Sequence, residues 1–141
     1  MSLLVDTSVW SLALRRDTPP DTSSLQAAVN ALRDALQRGD TIVTTGLILQ
    51  ELLQGVVHPR NRERIADQFS ALPCLMPDRD DHAQAALLHT RCRQRGVQAG
   101  TIDALIAQLC IRHQLTLLTT DRDFAAISRL EPKLRLATPA H

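Results

Sequence analysis

Short aliphatic runs recur along the chain, and between them lie longer stretches whose apolar positions return every three or four residues. The first pattern suits a buried strand and the second an amphipathic helix. Their alternation predicts an α/β fold, a mostly parallel β-sheet flanked by helices. Leu3 to Asp6 reads as the first strand, with Trp10 one turn further on in a helix. The polar segment Arg15 to Ser24, containing Pro19 and Pro20, breaks the chain before a helix built on Leu25, Ala28, Val29, Leu32 and Leu36, which Gly39 ends. Thr41 to Thr45 forms a strand, and a helix follows from about Leu47 to Val57. The basic run Arg60, Arg62, Arg64 opens another helix, and Leu72 to Met76 is a short strand or a loop. Helices from about Asp80 to Arg95 and Ile102 to His113 flank the Gly96 to Gly100 loop. Leu115 to Thr120 is the clearest later strand, ended by the polar turn Asp121-Arg122-Asp123, and Leu134 to Leu136 adds an edge strand. No repeat, low-complexity tract or linker interrupts the 141 residues, so one domain over 1–141 is expected.

Composition narrows the functional classes. Hydrophobic residues make up 44% and charged residues 22%, a mixture that buries a core and argues against disorder. Trp10, Phe69 and Phe124 are the whole aromatic complement, so a base-stacking binding module is not expected. The N-terminal residues carry no positive leader, and no stretch approaches the roughly 18 apolar residues of a membrane span, so a cytoplasmic protein is expected. Cys74, Cys92 and Cys110 lie far apart without a C-x-x-C pair, which reads as buried free thiols rather than a disulfide framework or zinc site. The five histidines show no paired ligand spacing. Net charge is +1 and predicts no partner by itself.

The acidic residues change that picture. Asp6 closes the first strand and Asp121 the strand from Leu115; in open parallel sheets ligands gather outside the carboxyl ends of strands. Asp103 lies in the first turn of its helix, and Glu51 follows a strand on a helix whose narrow polar face also carries Gln50 and Gln54. Each residue has a plain structural explanation: helix caps for Asp6 and Asp121, dipole complementation for Asp103, solvent exposure for Glu51. Together they would repel one another and raise each other's pKa values unless a hard cation joined them. Oxygen-only ligands suit Mg²⁺ or Mn²⁺, which orient a substrate phosphate and help generate a hydroxide nucleophile, the chemistry of phosphodiester hydrolysis. Setting the four acids aside leaves 16 basic against 11 acidic residues, a balance of +5 that favours a polyanion.

The motifs Asp6-Thr7-Ser8-Val9-Trp10, Glu51-Leu52-Leu53-Gln54-Gly55, Asp103-Ala104-Leu105-Ile106-Ala107 and Thr119-Thr120-Asp121-Arg122-Asp123-Phe124 together resemble the PIN-domain ribonucleases, in order and spacing and over nearly the whole chain. Among these the chain most resembles the toxins of VapBC toxin-antitoxin pairs. The resemblance implies a single PIN-like domain. It also implies a metal-dependent endoribonuclease in which Asp6, Glu51, Asp103 and Asp121 are the catalytic acids. These four, with Asp123 assisting, hold Mg²⁺ or Mn²⁺, and the hydroxyls of Thr7 and Thr119 orient them. Single-stranded or looped RNA, commonly tRNA or rRNA, is the implied substrate, cleaved by activated water to a 5′-phosphate and a 3′-hydroxyl. A cognate antitoxin wrapping a hydrophobic groove, and a homodimer or toxin-antitoxin hetero-oligomer, are the implied assemblies. The apolar helices Leu25 to Leu36 and Leu47 to Val57 are candidate surfaces for either. Arg91, Arg93, Arg95 and Arg122 are candidate RNA contacts.

Other classes fit less well. A catalytically silent PIN-fold binding module stays open. A phosphorelay receiver pairs adjacent acids after its first strand, where Asp6 stands alone. A haloacid-dehalogenase-like phosphatase requires an acid where Ser8 stands.

Overall fold

Residues 1–14 and 23–137 are described by a computed structural model. The break expected at Arg15 to Ser24 lies, up to Thr22, outside the described residues, as does His141. Among the described residues the elements run β1 (Ser2–Val5), α1 (Thr7–Ala13), α2 (Ser23–Arg38), β2 (Thr41–Thr45), α3 (Gly46–Gln54), α4 (Pro59–Phe69), β3 (Cys74–Leu75), α5 (Arg79–Gln94), α6 (Thr101–Arg112), β4 (Thr116–Leu118), α7 (Arg122–Leu130) and β5 (Arg135–Leu136). The strands form one sheet in the order β3-β2-β1-β4-β5, and every neighbouring pair is parallel. Leu4 sits opposite Val43 on one side and Leu117 on the other. Leu3, Leu4, Val5, Leu117 and Leu118 are all buried, which accounts for their unbroken apolar runs: helices on both faces leave a parallel strand no polar side.

The α/β reading holds, with local corrections. The predicted strand Leu115 to Thr120 is cut to three residues, because side-chain hydroxyls replace the ladder after Leu118. The Asp6 amide takes the Leu118 carbonyl at 2.9 Å, but the Thr120 amide donates to Ser8 Oγ at 3.1 Å and the Asp121 amide to Thr119 Oγ1 at 3.0 Å. Asp121-Arg122-Asp123 is not a terminating turn. Asp121 Oδ1 accepts the Asp123 amide at 2.9 Å and so caps α7, whose Phe124 and Ile127 are fully buried. The helix expected to reach Val57 stops at Gln54: Gly55 follows as its C-cap, and Pro59 biases the residue before it away from helical geometry. Val57 is left 94% exposed between the two helices. Gly39 and Gly96, at φ +76° and +70°, occupy left-handed positions just beyond α2 and α5. Cys92 and Cys110 are buried free thiols as expected, but Cys74 is exposed, because β3 is a short edge strand.

Trp10 packs in the core against Phe69, with ring centroids 4.8 Å apart and planes tilted by 58°. Asp81, on the first turn of α5, is buried and bonded to Arg112 at the end of α6, and Arg112 also reaches Asp78 at 3.3 Å. Burial alone would push the Asp81 carboxyl up, but the Asp78 amide, Arg112 and Gln108 together hold it below its ordinary value. That pair ties the first turn of α5 to the last turn of α6.

Candidate active site

From β1 the chain moves outward to β2 and β3, and it later returns to the other side of β1 as β4. This reversal opens a crevice above the carboxyl ends of β1 and β4, the place where such sheets bind ligands. Asp6 leaves the end of β1, Asp121 follows β4 after two threonines, and Asp103 rides the first turn of α6.

Asp6 occupies the N-cap position of α1, yet its side chain makes no capping bond. Instead its Oδ2 accepts hydrogen bonds from Ser8 Oγ at 2.8 Å and Thr119 Oγ1 at 2.9 Å, and the residue is 7% exposed. Two hydroxyls, one from each side of the β1–β4 seam, thus aim one buried carboxylate. Thr7 Oγ1 donates to Glu51 Oε1 at 3.2 Å, tying α1 to α3. Glu51 is otherwise on the exposed face of α3, where Gln50 and Gln54 bond each other at 2.9 Å. Thr45 Oγ1 caps α3 through the Ile48 amide at 3.1 Å, which fixes the helix on which Glu51 rides.

One carboxylate oxygen from each of Asp103, Asp121 and Asp123 lies within 4.8 Å of the others. Oxygens sharing one hard cation lie at most about 4 to 5 Å apart, so this trio is close enough to contribute ligands to a common divalent ion. Burial, followed by the charges of Asp121, Asp6, Asp123 and Glu51, pushes the Asp103 carboxyl up to about 6. Asp103 therefore feels all four of the other acids. Among the described residues none of the five makes an ion pair, whereas Asp40, Asp78, Asp81 and Glu131 all do. An oxygen-only, uncompensated anionic cluster is the chemical complement of a cation, a hard divalent ion among them.

The other expected residues distribute unevenly. Thr7 and Thr119 each bond one acid, Glu51 and Asp6 respectively. Arg91 is held by Glu131 at 2.7 Å, which competes with any phosphate, while Arg93 and Arg95 are exposed at the end of α5. Arg122, the first residue of α7, is exposed and lines a groove with Thr119, Thr120 and Asp121. Ser8 is the residue that sequence reasoning missed: its hydroxyl bonds Asp6 and also receives the Thr120 amide. The signal was present, since a serine two residues after a strand-end aspartate is placed to hydrogen-bond it.

The PIN domain family model matches residues 3–130. Ribonuclease VapC11 of Mycobacterium tuberculosis is 31% identical over 130 residues, covering 91% of this chain and 92% of that protein. The crystal structure of VapBC2 from Rickettsia felis bound to a DNA fragment from their promoter aligns with a TM-score of 0.72 at 25% identity, over 97% of this chain and 98% of that one. FitAcB from Neisseria gonorrhoeae shares the fold with a TM-score of 0.69 at 20% identity, over 99% of each chain. With its acids gathered at the β1–β4 switch point and this match along nearly its full length, the chain belongs to the PIN-domain family and has VapC ribonucleases among its relatives.

Proposed function

We propose that this PIN-domain protein is an endoribonuclease of the VapC type, the toxin of a toxin-antitoxin pair, and that it hydrolyses RNA phosphodiester bonds at the acidic crevice. The observation that carries the reading is the gathering of the Asp103, Asp121 and Asp123 carboxylates within 4.8 Å of one another in a chain that matches the PIN domain over residues 3–130. Asp103, Asp121 and Asp123 would hold the cation, with Asp6 and Glu51 completing its surroundings. When bound, Mg²⁺ or Mn²⁺ there polarises a phosphate oxygen and lowers the pKa of water. The protein's own contribution is positional. Ser8 and Thr119 fix the direction of Asp6, Thr7 holds Glu51, and the cap on α7 sets Asp121 beside Asp123. No nucleophilic side chain is required.

The relatives support the biological setting: one is a ribonuclease named VapC11, and one is VapBC2 with promoter DNA. An apolar groove of about 360 Å³, lined by Trp10, Leu14, Leu32, Leu36 and Phe69, is the surface we assign to the antitoxin. The indole Nε1 of Trp10 is buried there without a hydrogen-bond partner among the described residues. The protein acts in the cytoplasm on this reading, since its substrate and partner are there; no described helix is long and apolar enough to cross a membrane.

The test is cleavage of total cellular RNA by purified, antitoxin-free protein with Mg²⁺, with Mn²⁺ and with EDTA, alongside Asp6→Asn. Discrete products with either metal, lost in EDTA and in the variant, are expected. Cleavage that survives both would overturn the assignment, and cleavage under no condition would favour a PIN fold that only binds.

A further inference from the structure

A second groove leaves the acidic crevice on the Glu51 side. It has a volume of about 530 Å³, within the ~300–1,000 Å³ range of small-ligand clefts, and runs between the end of α1, the end of α3 and the first turns of α4. Glu51 stands at one end, and Ser11, His58, Asn61 and Arg64 supply the polar wall.

Arg64 is the unusual member. It is partly buried on α4, yet among the described residues it makes no ion pair, whereas Arg38, Arg91 and Arg112 are each held by a carboxylate. Arg62 is committed to the backbone, donating to the Val56 carbonyl at 3.3 Å. His58 is also fixed. Its Nδ1 accepts the Arg60 amide at 3.2 Å as the cap of α4, so Nε2 carries the ring proton and is the nitrogen left to donate. A partly buried guanidinium, a ring N–H and an amide side chain therefore line one cleft that Glu51 also lines. Their shared complement is an anion with several acceptor oxygens.

Resting on the ribonuclease reading, we propose that this groove seats a backbone phosphate of the RNA strand beside the scissile one, with Arg64 as its principal ligand. The crevice itself carries only negative charge on the protein side, so a strand crossing it gains its direct protein attraction from the flanks. Arg122 lines the groove on the opposite flank beside Asp121. The two grooves define a path from the α4 side through the acids to the α7 side.

The experiment measures binding of a short, end-labelled, mixed-sequence single-stranded RNA by fluorescence anisotropy as a function of salt, with Ca²⁺ as the divalent ion. Four proteins are compared: wild type, Arg64→Ala, Arg64→Lys and Arg135→Ala. Arg135→Ala removes the same charge from β5 beside Thr116, at the end of the sheet away from the crevice. Cleavage by wild type with Mn²⁺ is scored on the same preparations. Arg64→Ala is expected to weaken binding about tenfold and to reduce the salt slope by about 0.7, the share of one phosphate on a single strand. Arg64→Lys is expected to restore the slope but only part of the affinity, and Arg135→Ala to match wild type. If Arg64→Ala binds RNA like wild type while wild type binds and cleaves, the groove assignment is overturned and the ribonuclease reading stands. Equal losses in Arg64→Ala and Arg135→Ala would overturn it as well. A wild type that neither binds nor cleaves RNA would overturn both readings together.

Discussion

Replacing Asp103 with asparagine removes one charge from the centre of the acidic cluster while keeping the side chain's size. In the metal-free protein that charge is a liability: burial and four neighbouring acids raise the carboxyl from 3.8 to about 6, a penalty of about 3 kcal/mol on the ionised form. The group is only half-buried, and solvent screening reduces the figure to about 1.5 kcal/mol. The sign follows from proton binding. Between 3.8 and about 6 the folded protein binds more protons at Asp103 than the unfolded chain does, so stability falls as pH rises through that window, and the whole penalty is present above it. The uncharged asparagine side chain escapes that penalty at every pH. Thermal unfolding in EDTA at pH 7.5 should therefore place Asp103→Asn about 5 °C above wild type, using about 3 to 4 °C per kcal/mol for a domain of this size. The gap should close towards pH 4. Mn²⁺ should raise wild type more than the variant, because the ion compensates the charge that the variant lacks. A variant that is no more stable in EDTA at pH 7.5, or equally stabilised at pH 4 and 7.5, would refute the reasoning.

Ser8→Ala removes the donor to Asp6 and the acceptor of the Thr120 amide, so RNA cleavage should fall about 10- to 100-fold, with Ser8→Thr restoring part of it; unchanged kcat would deny Ser8 a positioning role. Arg112→Leu strands the buried Asp81 and should cost about 2 kcal/mol in urea unfolding at pH 7, a value discounted because the guanidinium is partly exposed. Because Asp81 is held below 3.8 in the folded state, this contribution is fully present above that pH and is lost as pH falls through the depressed value, so the difference between Arg112→Leu and wild type should shrink in acid. Gly96→Ala places a Cβ at φ +70° just beyond α5 and should lower stability by about 1 kcal/mol although the position has open space around it; no change in the unfolding midpoint would contradict that.

The parts legible in the sequence were those with a period. The unbroken apolar runs of β1 and β2, the long helices α2, α5 and α6, and the acids at strand ends all follow from burial on two faces or on one stripe. What escaped were features decided by single side chains. Helix α7 is only nine residues long and begins just after Asp121, with Arg122 and Asp123 in its first turn, so the segment read as a turn although Asp121 was open to reading as a helix cap; Phe124, Ile127 and Leu130 at helical spacing were the available clue. The early end of β4 depends on Ser8, 112 residues away from Thr120, a bond that no local pattern reveals. Sequence spacing put Arg91, Arg93 and Arg95 on an equal footing, but only the packing of α5 against the chain beyond α7 shows Arg91 committed to Glu131. The same limit hid Arg64, which read as one of three arginines opening a helix until the groove beside Glu51 singled it out.

The central claim is that the acids of this crevice direct water, rather than an RNA hydroxyl, at a phosphodiester bond. It is tested most directly by the end groups of RNA fragments released by the antitoxin-free protein with Mn²⁺, with Asp6→Asn run in parallel. Fragments bearing 5′-phosphate and 3′-hydroxyl ends, absent from the variant, are expected. Fragments ending in 2′,3′-cyclic phosphate and 5′-hydroxyl, or the same products from Asp6→Asn, would contradict it.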